Sequence, residues 1–208
     1  MKRLPISIQT FENIIEEEMI YVDKTKLIHD LIRQGKYYFF ARPRRFGKSL
    51  LLTTLKSFFL GKKELFKDLY IYDKEKDWTF YPVVHIDYSL VDYSTSLEIF
   101  NISLLENLQT IAREYDLELK NKVIANAFKE LILALSEKYN GKVVVLVDEY
   151  DKPLVDSLTN EQRFEENRHV LRKLYGTMKG LDGHLRFCLL YTSPSPRDAT
   201  LSRMPSSA

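Results

Sequence analysis

Residues 36–52 read KYYFFARPRRFGKSLLL, and the rest of the chain can be interpreted outward from this stretch. The aromatic run 37–40 favours a β-strand, because aromatic side chains suit the half-buried surface of a sheet. A loop follows over residues 41–46, and Gly47-Lys48-Ser49 then opens an apolar stretch that favours a helix. Strand, loop and helix in this order are typical of a phosphate-binding loop.

The chemistry of phosphate binding requires these residue types in this order. Backbone N–H groups of the loop and of the helix N-terminus converge on phosphate oxygens. Gly47 lets the backbone approach the phosphate, Lys48 places a positive charge between the β- and γ-phosphates, and the Ser49 hydroxyl is a natural Mg²⁺ ligand. The general pattern G-x-x-x-x-G-K-[ST] has a glycine where this chain has Arg42, so the match is imperfect.

A second motif, VVVLVDE at residues 143–149, lies far downstream of the first. Its continuous apolar run predicts a strand that is buried on both faces, as in a parallel sheet. The strand ends in two carboxylates, where ligands bind in open α/β sheets. Asp148 is suited to hold Mg²⁺ through water, and Glu149 to polarise an attacking water. The alternative is a buried strand with a solvated acidic end and an unrelated GKS turn.

Together, RPRRFGKSLLL and VVVLVDEYDKPL resemble the bacterial AAA-ATPase-like family of P-loop proteins. The resemblance covers about residues 4–190 and includes the N-terminal stretches 4–11 and 21–25. It implies Mg-ATP as the ligand, Lys48 and Glu149 as catalytic residues, and Ser49 and Asp148 as metal ligands. The expected nucleotide-binding residues are Arg42, Pro43, Arg44, Arg45, Phe46, Gly47, Lys48, Ser49 and Leu50.

Residues 1–35, which lead into the first predicted strand, contain two further candidate nucleotide-binding residues, Tyr21 and Asp23. One interpretation places both side chains in a wall near the adenine. The alternative is packing for the tyrosine and helix capping for the aspartate, since Asp is a common helix cap. The sequence leaves both interpretations open.

The pattern of elements predicts an α/β fold with a mostly parallel sheet and helices on both faces. Predicted strands near 36–41, 82–88, 142–147 and 185–190 alternate with predicted helices near 25–34, 48–59, 95–115, 118–139 and 161–180. The resemblance adds a P-loop NTPase fold of the additional-strand type, in which the acidic strand is not adjacent to the phosphate-loop strand. It also implies that the C-terminal part of the fold is incomplete.

The chain divides into a lead-in at 1–35, a P-loop ATPase domain at 36–190 and a tail at 191–208. The tail is rich in serine and proline and has no periodicity, so we expect it to be disordered. Its break with the resemblance suggests a non-native end, such as a frameshift. Thr192 or Ser193 falls near the position at which the family senses the γ-phosphate.

Several other residues have open roles. His85 and Asp87 are two apart on a predicted strand and share a face; we expect a structural histidine and an aspartate near the nucleotide. Asp151 lies beside the carboxylate pair, either to orient Glu149, to contact a partner, or simply as a loop acid. Pro153 discourages a helix there, and Cys188 reads as a small buried residue.

Composition narrows the function classes. The chain has 208 residues, 45% of them hydrophobic, which suffices for one domain with a sizeable core. A net charge of +2 gives no global electrostatic case for nucleic acid. The single cysteine excludes an internal disulfide framework, and the sequence shows no signal peptide and no apolar run long enough to span a membrane. We therefore expect a cytoplasmic protein.

Three functional hypotheses follow. The first is Mg-dependent ATP hydrolysis that drives conformational change in a larger protein, which the resemblance extends to a homo-oligomer or a downstream nuclease-like domain. Arg44 and Arg45 would touch phosphate or reach a neighbouring subunit, or are simply solvated. The second is a nucleotide-binding switch that hydrolyses poorly. The third is a non-enzymatic interaction fragment.

Overall fold

A computed structural model describes residues 2–41 and 46–192 of the chain. Within them the sheet has four strands, β1 (Tyr37–Ala41), β2 (Val83–Asp87), β3 (Val143–Asp148) and β4 (Leu185–Thr192). The α-helices are α1 (Phe11–Glu16), α2 (Thr25–Gln34), α3 (Lys48–Phe59), α4 (Tyr70–Lys74), α5 (Leu97–Glu114), α6 (Ile124–Lys138), α7 (Lys152–Val155) and α8 (Glu161–Gly176). Short 3₁₀ helices occupy Lys63–Phe66, Tyr88–Leu90 and Thr177–His184.

The strand order is β1-β4-β3-β2, and each neighbouring pair is parallel. This confirms the predicted parallel sheet. β4 lies between β1 and β3, so β3, which ends in Asp148, is not adjacent to β1, the strand that precedes α3. Because all four strands run in one direction, their carboxyl ends meet along one edge, where ligands bind in open α/β sheets.

Helices cover both faces of the sheet, as predicted. Val143, Val145 and Val147 of β3 pack with residues of α5, α6 and α8. The intervening Val144 and Leu146 pack against residues of α1, α2 and α3 on the opposite face. Successive strand residues point to opposite faces, and every residue of β3 is buried. A strand buried on both sides needs an uninterrupted apolar run, and β3 has one.

Two predicted helix boundaries were wrong. α6 begins at Ile124 rather than near 118. The Glu130 carboxylate accepts hydrogen bonds from the backbone N–H groups of Lys120 (3.0 Å) and Asn121 (2.9 Å), which hold this segment in an extended approach to the helix. The helix predicted to run to 180 ends at Gly176 and continues as the 3₁₀ helix Thr177–His184.

The structure also corrects two expectations near the ends of β3 and β4. Pro153 lies inside the short helix α7 rather than preventing it, because the missing N–H of a proline is not needed in a first helical turn. Tyr191 and Thr192 were assigned to the tail but form the last two residues of β4. The rest of the predicted tail, 193–208, lies outside the described residues.

Candidate functional site

Gly47 forms the start of the site, immediately before α3. Its backbone has φ 74° and ψ 27°, the left-handed conformation that favours glycine. A Cβ at this position would meet no atom of residues 2–41 or 46–192 within 4 Å, so among these residues the backbone angle rather than crowding requires the glycine. No side chain in the described part of the chain caps this helix. The N–H groups of its first turn therefore face the site as potential donors to an anion.

Lys48 joins the two motifs that the sequence singled out. Its ammonium forms ion pairs with Asp148 Oδ1 at 3.2 Å and with Glu149 Oε1. The Lys48 and Asp148 side chains are only 11% and 8% exposed, so this contact lies largely out of water. The structure thus brings Lys48 together with Asp148 and Glu149, two other predicted site residues that lie about a hundred positions further along the chain.

The environment of Asp148 suits a cation. Burial raises the pKa of its carboxyl, the nearby Lys48 ammonium opposes this shift, and Asp87 and Glu149 add to it. Asp148 Oδ1 is buried, and no group in residues 2–41 or 46–192 donates a hydrogen bond to it in good geometry. A buried carboxylate oxygen of this kind needs a positive partner, and Lys48 supplies one here.

The donor set fits Mg²⁺ only in part. Within the described residues no three His, Cys, Asp or Glu side chains gather closely enough to hold a metal ion. Mg²⁺ in nucleotide sites uses one or two protein oxygens together with water and phosphate oxygens. Asp148 and the Ser49 hydroxyl, in the first turn of α3, are of the right chemistry for that smaller share.

Glu149 adopts an uncommon backbone conformation. Its φ of 53° is positive, which is rare for residues other than glycine and is typical of functional sites. The turn is fixed against β4 by a hydrogen bond from Tyr150 N–H to the Tyr191 carbonyl (3.3 Å). Next to it, the Thr192 hydroxyl donates to Asp151 Oδ1. Two residues that the sequence placed near the site are therefore hydrogen-bonded to each other.

Asp87 and His85 lie on the neighbouring strand β2. Asp87 is the direct register partner of Asp148, and its Oδ1 accepts a hydrogen bond from Ser89 N–H at 2.8 Å. Its predicted place at the carboxyl end of the sheet is confirmed. Burial lowers the pKa of His85 to about 4, so its imidazole is neutral in the fold. Cys188, as expected, is buried.

A cavity of about 620 Å³ opens beside the start of α3. Its walls come from α2, α3, the segment 20–24 and the carboxyl ends of β1 and β4. Tyr21 lines it, together with Phe46 and Gly47. Leu50, another predicted residue, also lines it. The sequence did not indicate the other apolar residues of the wall, because their side chains follow ordinary core patterns. Tyr191 was missed for a different reason, since it was assigned to the tail.

Asp23 does not line this cavity. Its carboxylate accepts hydrogen bonds from the backbone N–H groups of Thr25 and Tyr70, both at 2.7 Å. Burial alone would raise its pKa, but these hydrogen bonds lower it below the ordinary value. Asp23 therefore links the starts of α2 and α4, which is the capping alternative.

The remaining candidates lie outside the described residues or await a test. Arg42, Pro43, Arg44, Arg45 and Ser193 are in the undescribed ranges. Leu50 lies in the first turn of α3 and lines the cavity.

None of the helices in residues 2–41 and 46–192 is long and apolar enough to cross a membrane.

Comparison with known proteins gives two matches. A family model described as "Predicted AAA-ATPase" matches residues 5–192. The chain is also similar to an "Uncharacterized protein in vnfD 5′region" of Azotobacter chroococcum mcd 1, with 41% identity over 194 residues. That match covers 91% of this chain but 37% of the relative, so the chain spans little more than a third of that protein's length. No solved structure matches significantly.

Proposed function

Since the chain belongs to the family of predicted AAA-ATPases, we propose that it binds Mg-ATP and hydrolyses it at the carboxyl edge of the sheet. The observation that carries this proposal is the meeting of Lys48 with Asp148 and Glu149 at the start of α3, which no side chain of residues 2–41 or 46–192 caps. A helix N-terminus with a buried lysine attracts phosphate. The adjacent buried carboxylate attracts the cation that accompanies it.

Each side chain has a separate role in this proposal. The N–H groups of the first turn of α3 and the Lys48 ammonium would hold the phosphates, and Ser49 and Asp148 would hold Mg²⁺. When bound, the metal ion would neutralise charge that develops on the phosphate oxygens. Glu149 accepts a hydrogen bond from the attacking water and orients it for in-line attack. Its left-handed backbone fixes the carboxylate beyond the end of β3.

The strand order supports assignment to the additional-strand type of P-loop fold. β4 separates β1 from β3, and the γ-phosphate and the attacking water would have to displace the ion pair between Lys48 and Glu149 beyond the end of β4. Thr192 ends β4 and is the candidate for a residue that senses this phosphate. Its hydrogen bond to Asp151 would carry a change at the γ-phosphate to the turn that follows β3.

The whole protein's role is a further proposal. Hydrolysis would couple the nucleotide state to a conformational change in a longer polypeptide, since the relative from Azotobacter is much longer than this chain. A homo-oligomer, a downstream nuclease-like domain and a cytoplasmic location stay predictions. A switch that binds nucleotide but hydrolyses it poorly is the second candidate. The ion pair between Glu149 and Lys48 favours this candidate, because it engages the carboxylate that would otherwise orient the attacking water.

Calorimetry of the 1–208 chain with ATP and Mg²⁺ tests the proposal. We expect Lys48→Ala to abolish binding, because the phosphates lose their buried positive charge. Lys129→Ala is the matched control, since Lys129 is exposed on α6 and away from the site. Absence of ATP binding by folded wild-type protein would refute the proposed function.

The rate of phosphate release from ATP distinguishes an ATPase from a nucleotide-binding switch that hydrolyses poorly. If Glu149 orients water, Glu149→Gln retains ATP binding and lowers phosphate release by about 10²–10⁴-fold, the usual contribution of a general base. A switch predicts slow turnover that this substitution barely changes.

A further inference from the structure

We propose that Asn167, a fully buried residue of α8, is a positioning residue for Glu149. It holds the short helix α7 and, through α7, the turn that carries the Glu149 carboxylate. This inference rests on the proposed function, in which Glu149 orients the attacking water. Asn167 would act on the reaction only through Glu149, and neither of the two sequence motifs contains it.

The turn that carries Glu149 passes directly into α7. The N–H of Lys152, the first residue of α7, donates to the Glu149 carbonyl at 3.0 Å. One step further, Leu154 N–H donates to the Asp151 carbonyl at 2.9 Å. The backbone of the acidic turn therefore accepts the first hydrogen bonds of this helix. Because of these bonds, a shift or rotation of α7 moves the backbone of Glu149 with it.

α7 depends on the rest of the fold for its position. It comprises four residues, Lys152–Val155, and an isolated helix of this length is not stable in water, because nucleation costs more than one turn recovers. α8 packs against it. Pro153 is buried within α7 and has no N–H to donate, but its carbonyl accepts a hydrogen bond from α8.

Asn167 is the residue of α8 that makes this hydrogen bond. Its Nδ2 donates to the Pro153 carbonyl at 2.8 Å, and the residue is 0% exposed. The Ser157 hydroxyl donates to the same carbonyl at 2.7 Å, so this oxygen already has a partner from its own segment. The bond from Asn167 therefore fixes α7 against α8, rather than satisfying a carbonyl that would otherwise be unpaired.

The asparagine is unfavourable for stability at this position. Its Oδ1 is buried and accepts no hydrogen bond from residues 2–41 or 46–192, and a buried polar atom without a partner lowers stability. Asparagine is also a poor residue for the interior of a helix. Leucine, which has the same number of side-chain heavy atoms, would avoid both costs. A role in fixing the geometry of α7 accounts for a residue that stability alone does not favour.

The effect on the reaction follows from how the turn is held. On one side β4 holds it, through the hydrogen bond from Tyr150 N–H to the Tyr191 carbonyl. On the other side α7 holds it, and Asn167 fixes α7. Loss of the second support would let the left-handed Glu149 shift relative to Lys48. A displacement of about 1 Å in an active site can lower a rate about a hundredfold.

Steady-state phosphate release from Mg-ATP by the 1–208 chain tests the inference. We expect Asn167→Leu to lower kcat by about ten- to a hundredfold, while KM for ATP stays within about threefold of wild type. Its melting temperature should equal or exceed that of wild type, because the unpaired Oδ1 is removed. Asn167→Ala removes the same donor with less bulk and should lower kcat to a similar extent, so the test stands even if leucine fits poorly.

Leu174→Ala is the matched control. Leu174 is also 0% exposed and lies about two turns further along α8, and its apolar side chain makes no hydrogen bond to α7. The control should lower the melting temperature by more than about 4 °C and leave kcat of the folded protein within about twofold of wild type. A merely structural role for Asn167 predicts this same pattern, rather than a loss of kcat at unchanged stability.

Combining Asn167→Leu with Glu149→Gln shows whether Asn167 acts through Glu149. The combined variant should have a kcat no lower than that of Glu149→Gln alone, because the carboxylate that Asn167 positions is already gone. Equal kcat for Asn167→Leu and wild type, or losses that multiply in the combined variant, would overturn the inference and leave the proposed ATPase standing. Absence of phosphate release by folded wild-type protein would overturn both.

Discussion

Gly47→Ala should lower the stability of the fold even though the added methyl group has space. The φ of 74° at this residue costs an L-amino acid roughly 1–2 kcal/mol. A Cβ would meet no atom of the described part of the chain within 4 Å, so no clash with these residues adds to this cost. For a chain of this size, each kcal/mol lowers the melting temperature by about 2–4 °C, which predicts a loss of roughly 2–8 °C in a thermal melt followed by circular dichroism.

Gly176→Ala is the matched control for that experiment. Gly176 is also free of close neighbours, but its φ of −59° and ψ of −29° are helical. Alanine there should stabilise the fold by about 0.4–1 kcal/mol, because it restricts the unfolded chain without straining the folded one. The two substitutions therefore have opposite signs. A melting temperature of Gly47→Ala equal to or above wild type would refute the argument that the left-handed backbone is what requires glycine.

Three further predictions concern the core that carries the site. Tyr115→Phe should lower the free energy of unfolding, measured in urea, by about 1–3 kcal/mol. The buried Tyr115 hydroxyl accepts a hydrogen bond from Val83 N–H (2.7 Å) and donates one to Val83 C=O (3.0 Å), and the variant loses both. An unchanged urea midpoint would contradict this prediction. Leu55→Ala should lower the free energy of unfolding by about 2–5 kcal/mol, since Leu55 is fully buried. Leu90 is 76% exposed, so the control Leu90→Ala should stay within about 0.5 kcal/mol of wild type. Burial lowers the pKa of His85 from 6.5 to about 4, so between these pH values the unfolded chain binds a proton at this residue and the folded chain does not. The free energy of unfolding should therefore fall by up to about 1.4 kcal/mol per pH unit as the pH drops from 6.5 to 4. His85→Leu should remove this part of the pH dependence, and identical pH profiles for the variant and wild type would contradict the prediction.

The phosphate-loop unit was predictable because its signals are local. The predicted helix 48–59 coincides with α3, since a glycine marks its start and its apolar residues recur at helical spacing. β3 was predicted to within a residue from a continuous apolar run. The meeting of Lys48 with Asp148 also follows from topology, because parallel strands place their carboxyl ends along one edge.

The cavity was not predictable, because its wall is assembled from distant segments. Leu27 has the helical spacing of a core residue, yet it is 64% exposed and lies in the cavity wall. Nothing in its neighbours along the chain distinguishes it from Ile28, which lines the same cavity but is buried. The start of α6 could not be predicted for a similar reason, because it depends on the contact of Glu130 with residues 120 and 121. A side chain ten residues away decided that boundary, and propensity alone did not show it.

The left-handed Glu149 illustrates a different limit. The motif VVVLVDE indicates a carboxylate after the strand, but it does not indicate a backbone with φ 53°. That conformation turns the chain sharply after Asp148 and directs Tyr150 N–H to the Tyr191 carbonyl. Strain of this kind persists only where surrounding contacts fix it, and those contacts come from β4, which the motif does not include.

The end of β4 links the two halves of the proposed site. The Tyr191 ring lines the cavity and also lies 5.8 Å from the Lys48 ammonium, within the range of a cation–π contact. The next residue, Thr192, donates to Asp151 on the turn that carries Glu149. The end of β4 therefore contacts both Lys48 at the start of α3 and the turn that carries Glu149. Because that strand lies between β1 and β3, its end contacts residues that follow both of these strands along the chain, and neither sequence motif alone indicates these contacts.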